Sequence, residues 1–188
     1  MSRRLVWIDL EMTGLNPETS VILEIAAVVT DGSLTTVAEG PDIAIHYPEK
    51  ILQIMESWSK RQHESSGLLE RVRASSVDCS KAEKAVLAFL SKHCKKGESP
   101  LCGNSIWQDR RFLIKYMPKL EAFFHYRNID VSSIKELAKR WYPSLPMYKK
   151  NKAHLALSDI KESISELKYY REKVFRDASE RREPTTPA

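Results

Sequence analysis

Asp9 and Glu11 lie two residues apart in an apolar run that opens Leu5-Val6-Trp7-Ile8, and this pair constrains the fold more than any other feature. The run is rich in strand formers. In a strand, positions i and i+2 share one face, about 6.6 Å apart. Two carboxylates on one face of a buried strand repel each other and resist desolvation. The chain must either solvate that face or offset its charge. Two divalent cations about 3.5–4 Å apart fit acids spaced this way.

The rest of the chain reads as strands, then helices. Residues 21–30 form a second, nearly all-apolar strand, ended by the turn pair Asp31-Gly32. Residues 34–39 and 43–46 are expected to complete a short antiparallel meander. Ala82, Ala85, Val86, Phe89 and Leu90 keep a helical stripe. Residues 100–103 are a short buried strand, and Phe112, Leu113, Tyr116 and Met117 follow on a helix that stops before Pro118. Residues 127–131 give a fifth strand. Ile134, Leu137, Ala138 and Trp141 mark another helix, and Ala156, Ile160, Ile164, Leu167 and Val174 mark the last. This order predicts an α/β fold, a mixed five-stranded sheet flanked by helices. Residues 1–175 are expected to form the folded domain. Residues 176–188, polar with two prolines, are expected to form a tail.

With 188 residues, the chain has the length of one domain and can bury a sizeable core. No run of about 18 apolar residues predicts a membrane span. The start is basic, but Asp9 and Glu11 interrupt the apolar stretch and no small-residue cleavage signature follows, so cytoplasmic residence is expected. Cys79, Cys94 and Cys102 form neither a C-x-x-C pair nor a zinc spacing, which suits a reducing compartment. The net charge of +5 hints at a polyanionic partner.

Two further acids stand near helix starts, Asp109 and Asp159. Each, taken alone, also fits a carboxylate complementing a helix dipole, just as Asp9-x-Glu11 alone fits a solvated strand face. His154 precedes Asp159 by five residues, a separation of about 500° on a helix. The two side chains converge only if His154 lies before the helix or in its first turn. A histidine there can accept a proton from water near neutral pH.

The sequences around these residues are more telling. Asp9-Leu10-Glu11-Met12-Thr13-Gly14-Leu15 resembles the first motif of the DEDD exonuclease superfamily, residues 104–109 resemble the second, and His154-Leu155-Ala156-Leu157-Ser158-Asp159 resembles the third in its histidine form. Further blocks, among them Gly103-Asn104-Ser105, Asp109-Arg110-Arg111-Phe112-Leu113 and His125-Tyr126-Arg127, resemble the oligoribonucleases of the DEDDh class, a likeness running from about Leu5 to Phe175. Ser158 departs from that family, which usually has a second Asp there.

The resemblance implies a ribonuclease H-like fold and a 3′-to-5′ exoribonuclease that cuts very short single-stranded RNA, notably dinucleotides, to nucleoside 5′-monophosphates. It implies that Asp9, Glu11, Asp109 and Asp159 hold two Mg²⁺ or Mn²⁺ ions and that His154 is the general base. Leu15 and Trp58 would serve the terminal bases, and His63 would be a further substrate-side residue. Ser105, Tyr126, Arg127 and Ser132 would cap the substrate's 5′ phosphate, and the family forms homodimers. A DNA-proofreading exonuclease shares the three motifs, and a catalytically silent RNA-binding module shares the fold. Both remain alternatives at this point.

Overall fold

The computed structural model describes residues 4–149 and 155–175. His154 and the expected tail at 176–188 lie outside the described residues. Strands β1 (Leu5–Met12), β2 (Ile22–Thr30) and β3 (Thr36–Ala44) come first. Helices α1 (Glu49–Gln53), α2 (Ser57–Ser65), α3 (Leu68–Ala74) and α4 (Cys79–His93) follow. Then come β4 (Leu101–Gly103), α5 (Ile106–Tyr116), α6 (Pro118–Glu121), β5 (Asn128–Asp130), α7 (Val131–Trp141) and α8 (Ala156–Val174). The sheet runs β3-β2-β1-β4-β5. β1 pairs antiparallel with β2 and parallel with β4, so the expected mixed five-stranded sheet is what forms.

Side-chain alternation sorts the two faces of the sheet. Val6, Ile8 and Leu10 join Ile25, Ala27 and Val29 in a core with residues of α4, α5 and α6. Trp7, Ala26 and Val28 face the other way, into a core with Ala138 of α7 and Ala156, Ile160, Ile164, Leu167 and Tyr170 of α8. With period 2, Asp9 and Glu11 share the Trp7 face and so point toward the α8 side. Glu24 shares it too, by the same count from Ala26 and Val28. A third cluster, including Leu23, Leu52, Leu68, Leu69 and Val72, packs α1 and α3 over the end of the sheet.

Two local expectations are corrected. The separate segments 34–39 and 43–46 are one strand, β3, running through Gly40 and Pro41. β3 is a sheet edge, where a proline's missing N–H is tolerated. The register to β2 shifts between Ala26 and Val28, so Gly40 and Pro41 bulge out of the ladder. Gly40 is required there: an added Cβ would lie 2.5 Å from the Phe89 ring and 2.9 Å from the Ala27 carbonyl oxygen. The turn after β2 is longer than an Asp-Gly pair. Asp31 Oδ1 accepts from the Ser33 and Thr35 N–H groups, each at 2.9 Å, and the residue with positive φ is Leu34.

Candidate active site

β4 is three residues long and pairs with β1 only at Val6 and Trp7. Beyond that point the β1 edge needs other partners for its backbone groups. The Leu10 N–H donates to Asp109 Oδ1, 3.0 Å away, on the first turn of α5. This bond fastens α5 to the strand segment between Asp9 and Glu11. On the other side α8 crosses the sheet and brings Asp159, three residues into the helix, to the same place. Oxygens of Asp9, Glu11 and Asp159 all lie within 4.8 Å of one another. Asp109 is not in that tight group but lies close behind it, almost fully buried.

Residues 104–109, matched by their sequence to a second acidic motif, do more than deliver Asp109. Ser105 takes a left-handed conformation, φ 50°, before the helix. Its N–H donates to Asp130 Oδ1 at 2.9 Å and to Ser132 Oγ at 3.0 Å. The Ser105 and Ser132 hydroxyls stand 3.2 Å apart. Asn104 accepts from Ser132 Oγ and donates to Ser163 Oγ (2.7 Å) and Glu166 Oε2 (3.2 Å) on α8. Ser163 Oγ in turn donates to the Asp159 carbonyl at 2.8 Å. The serine pair is thereby linked to the helix that carries Asp159.

The RNase T exonuclease family matches residues 6–167. The oligoribonuclease of Marinobacter nauticus is 59% identical over 174 residues, covering 92% of this chain and 97% of its own. That of Pseudomonas aeruginosa is 58% identical over 171 residues, covering 90% and 95%. The chain belongs to the oligoribonuclease family. Its fold is also that of exonuclease I: the zinc-bound Escherichia coli exonuclease I–ssDNA complex superposes with a TM-score of 0.71 at 13% identity, over 93% of this chain. The Methylocaldum szegediense enzyme gives 0.69 at 13% identity. This chain spans only 41% of each of those two proteins, and at that identity the likeness concerns the fold.

The other residues singled out in this oligoribonuclease-family chain lie on several elements. Leu15 and Trp58 are exposed, at 65% and 60%. The Leu15 carbonyl accepts from Gln108 Nε2, which ties its loop to α5. His63 is buried. Its Nε2 lies 2.9 Å from the Met12 carbonyl, which makes Nε2 the donor, and its Nδ1 lies 3.8 Å from Glu11 Oε2. Tyr126 and Arg127 are exposed, with the Arg127 guanidinium 5.2 Å from the Tyr126 ring centroid. Arg110 holds this loop by donating to the Tyr126 carbonyl at 2.9 Å and the His125 carbonyl at 3.1 Å.

Sequence reasoning passed over Glu24. It is fully buried, pairs with Arg71, and stands opposite Glu11 in the β1–β2 register. The signal was available: a single acid inside a run of apolar residues has to be paired.

The acids carry the electrostatic cost of their placement. Burial, then the charges of Asp109, Glu11, Asp159 and Glu24, hold Asp9 well above the usual carboxylate range. Burial, then Asp159, Glu24 and Asp109, push Glu11 up to about 8. Burial raises Asp109 to about 7 against the opposing Leu10 N–H bond. An all-carboxylate donor set of this density suits a hard divalent cation, which replaces mutual repulsion with shared attraction.

The sign of the pH dependence follows. Each folded-state value lies above its unfolded value, so the folded protein binds more protons between about pH 4 and 8. These groups therefore make the metal-free protein less stable as pH rises through that window. Thermal unfolding in EDTA should show the melting temperature falling from pH 5 to pH 8, and saturating Mn²⁺ should restore it at pH 8. A metal-free melting temperature that rises across the window would contradict this electrostatic picture.

Proposed function

We propose that the chain is a 3′-to-5′ exoribonuclease that hydrolyses very short RNA, dinucleotides included, to nucleoside 5′-monophosphates. The observation that carries the reading is the convergence of Asp9, Glu11 and Asp159 within 4.8 Å in a chain of this family. Asp9, Glu11, Asp109 and Asp159 would hold two Mg²⁺ or Mn²⁺ ions. Such ions, when bound, supply an acidified water and charge stabilisation on the phosphate and the leaving oxygen.

The chain's own residues do the rest. Asp109 holds α5 to β1 through the Leu10 amide. His154 accepts the proton of the attacking water, a task that suits an imidazole near neutral pH. Leu15 and Trp58 offer exposed apolar surface to the terminal bases, and stacking on an aromatic tolerates any base. His63, buried on α2 with its Nδ1 3.8 Å from Glu11 Oε2, is a further residue on the substrate's side of the acids. Ser105 and Ser132 present adjacent hydroxyls, and Tyr126 with Arg127 completes a cap for the 5′ phosphate. Such a cap leaves no room for a longer 5′ extension, which accounts for a preference for very short chains. A homodimer belongs to the same reading. Release of mononucleotides from a diribonucleotide in preference to a long DNA strand separates this activity from a proofreading exonuclease. Metal-dependent release at all excludes a silent binding module.

Replacing His154 by Ala should lower the single-turnover rate by about 10²–10⁴-fold, the usual general-base contribution. Mn²⁺ affinity measured by calorimetry should stay near that of the parent. Lost metal affinity with an unchanged chemical step would assign His154 to the metal instead.

Arg127→Ala should weaken binding of a 5′-phosphorylated dinucleotide by about 1.5–3 kcal/mol, the scale of a charged hydrogen bond. The dinucleotide lacking that phosphate should be affected much less. Both ligands are measured on cleavage-deficient Asp109→Ala protein, with and without the second change. Equal losses for the two ligands would remove the cap and leave the nuclease assignment standing.

A further inference from the structure

Glu24 is a charged side chain with no solvent exposure, placed opposite Glu11 on the face of β2 that meets α8. Like charges set opposite each other on a sheet destabilise it. A structure that keeps Glu24 there must use it. Its two oxygens have different partners. One meets the Arg71 guanidinium, which also reaches Asp42 Oδ1 on β3 at 3.2 Å. The other, Oε2, accepts the Ala156 N–H at 3.0 Å.

Ala156 is the first residue of α8, and its N-cap residue, Leu155, supplies no side-chain cap. The first amides of a helix have no intrahelical acceptor and carry the positive end of its dipole. Glu24 therefore serves as a cap borrowed from another strand, 132 residues away in sequence. Asp159 lies three residues further along the same first turn, about 4.5 Å along the axis. A shift of that turn relative to β2 carries Asp159 with it, while Asp9 and Glu11 stay on β1.

We propose that Glu24 is a positioning residue for the acidic site: by accepting the Ala156 amide it fixes the start of α8 against β2, so that Asp159 reaches Asp9 and Glu11. Arg71 meets the other Glu24 oxygen. The inference rests on the metal-site reading above and adds to it a residue that touches neither substrate nor metal.

The test is Mn²⁺ binding by calorimetry on the full chain, with folding of each variant checked by circular dichroism. Glu24→Ala should weaken Mn²⁺ binding by roughly 10–100-fold, the range found when a partner of a metal ligand is removed. Glu24→Gln keeps an oxygen acceptor for Ala156 and should recover most of that affinity. Ala156→Pro removes the donor and leaves Glu24 and Arg71 in place. Proline suits the first position of a helix, and the extended backbone of Leu155 suits the residue before it. This variant should lose affinity as Glu24→Ala does, and it decides the matter if Glu24→Ala does not fold. Parent-like Mn²⁺ affinity in folded Glu24→Ala or Ala156→Pro would overturn the proposal. So would a Gln variant as impaired as the Ala variant, since that assigns the effect to the charge pair with Arg71. A parent protein that binds no Mn²⁺ would instead sink the metal-site reading itself.

Discussion

Mutual repulsion among crowded, buried and half-buried carboxylates is the constraint on which the rest of this structure depends. Asp9, Glu11 and Asp159 crowd one spot, Asp109 is buried behind them, and Glu24 faces Glu11 across the ladder. Left to itself such a group would expel its members or keep them protonated. The fold instead holds the acids from several elements. Strand alternation fixes Asp9 and Glu11, the Leu10 amide fixes Asp109, and the start of α8 fixes Asp159. Arg71 supplies positive charge to Glu24, which has no solvent exposure.

Several irregular features make sense in that light. The shortness of β4 leaves the Leu10 N–H for Asp109 instead of a ladder partner. The register shift between Glu11 and Met12 ends regular pairing where β1 reaches the site, a common place for a bulge beside functional residues. The left-handed Ser105 turns its amide toward Asp130 and Ser132, and Asn104 extends that cluster to Ser163 and Glu166. α8 is thus held at its start from β2 and in its middle from the turn before α5. α8 links Asp159 to the serine pair through Ser163 and Asn104.

Much of this was legible in the sequence because it is written in local pattern. The alternation around Asp9 and Glu11 placed both on one face, and the 3.6-residue periodicity gave α4, α5, α7 and α8. What was not legible depends on neighbours distant in the chain. Gly40-Pro41 reads as a break, yet at a sheet edge with a bulge it continues β3. Asp31-Gly32 reads as a tight hairpin, yet the Asp31 side chain organises a longer turn with Leu34 at positive φ. His63 gives no sign in sequence that it packs behind Glu11, since that contact joins α2 to β1. Glu24 looked like one more member of an apolar strand, because its partners Arg71 and Ala156 lie 47 and 132 residues away.

The central claim is that the acids are arranged at a cost that a divalent cation removes. Asp9→Asn tests it most directly, through equilibrium unfolding of parent and variant at pH 8 in EDTA and in saturating Mn²⁺. Removing one charge relieves repulsion and, on the proposed metal-site reading, also removes an oxygen donor. The account predicts a crossing: the variant is the more stable of the two in EDTA, and the less stable in Mn²⁺ because it gains little from the ion. A variant that is less stable than the parent in EDTA, yet gains as much from Mn²⁺, would contradict it.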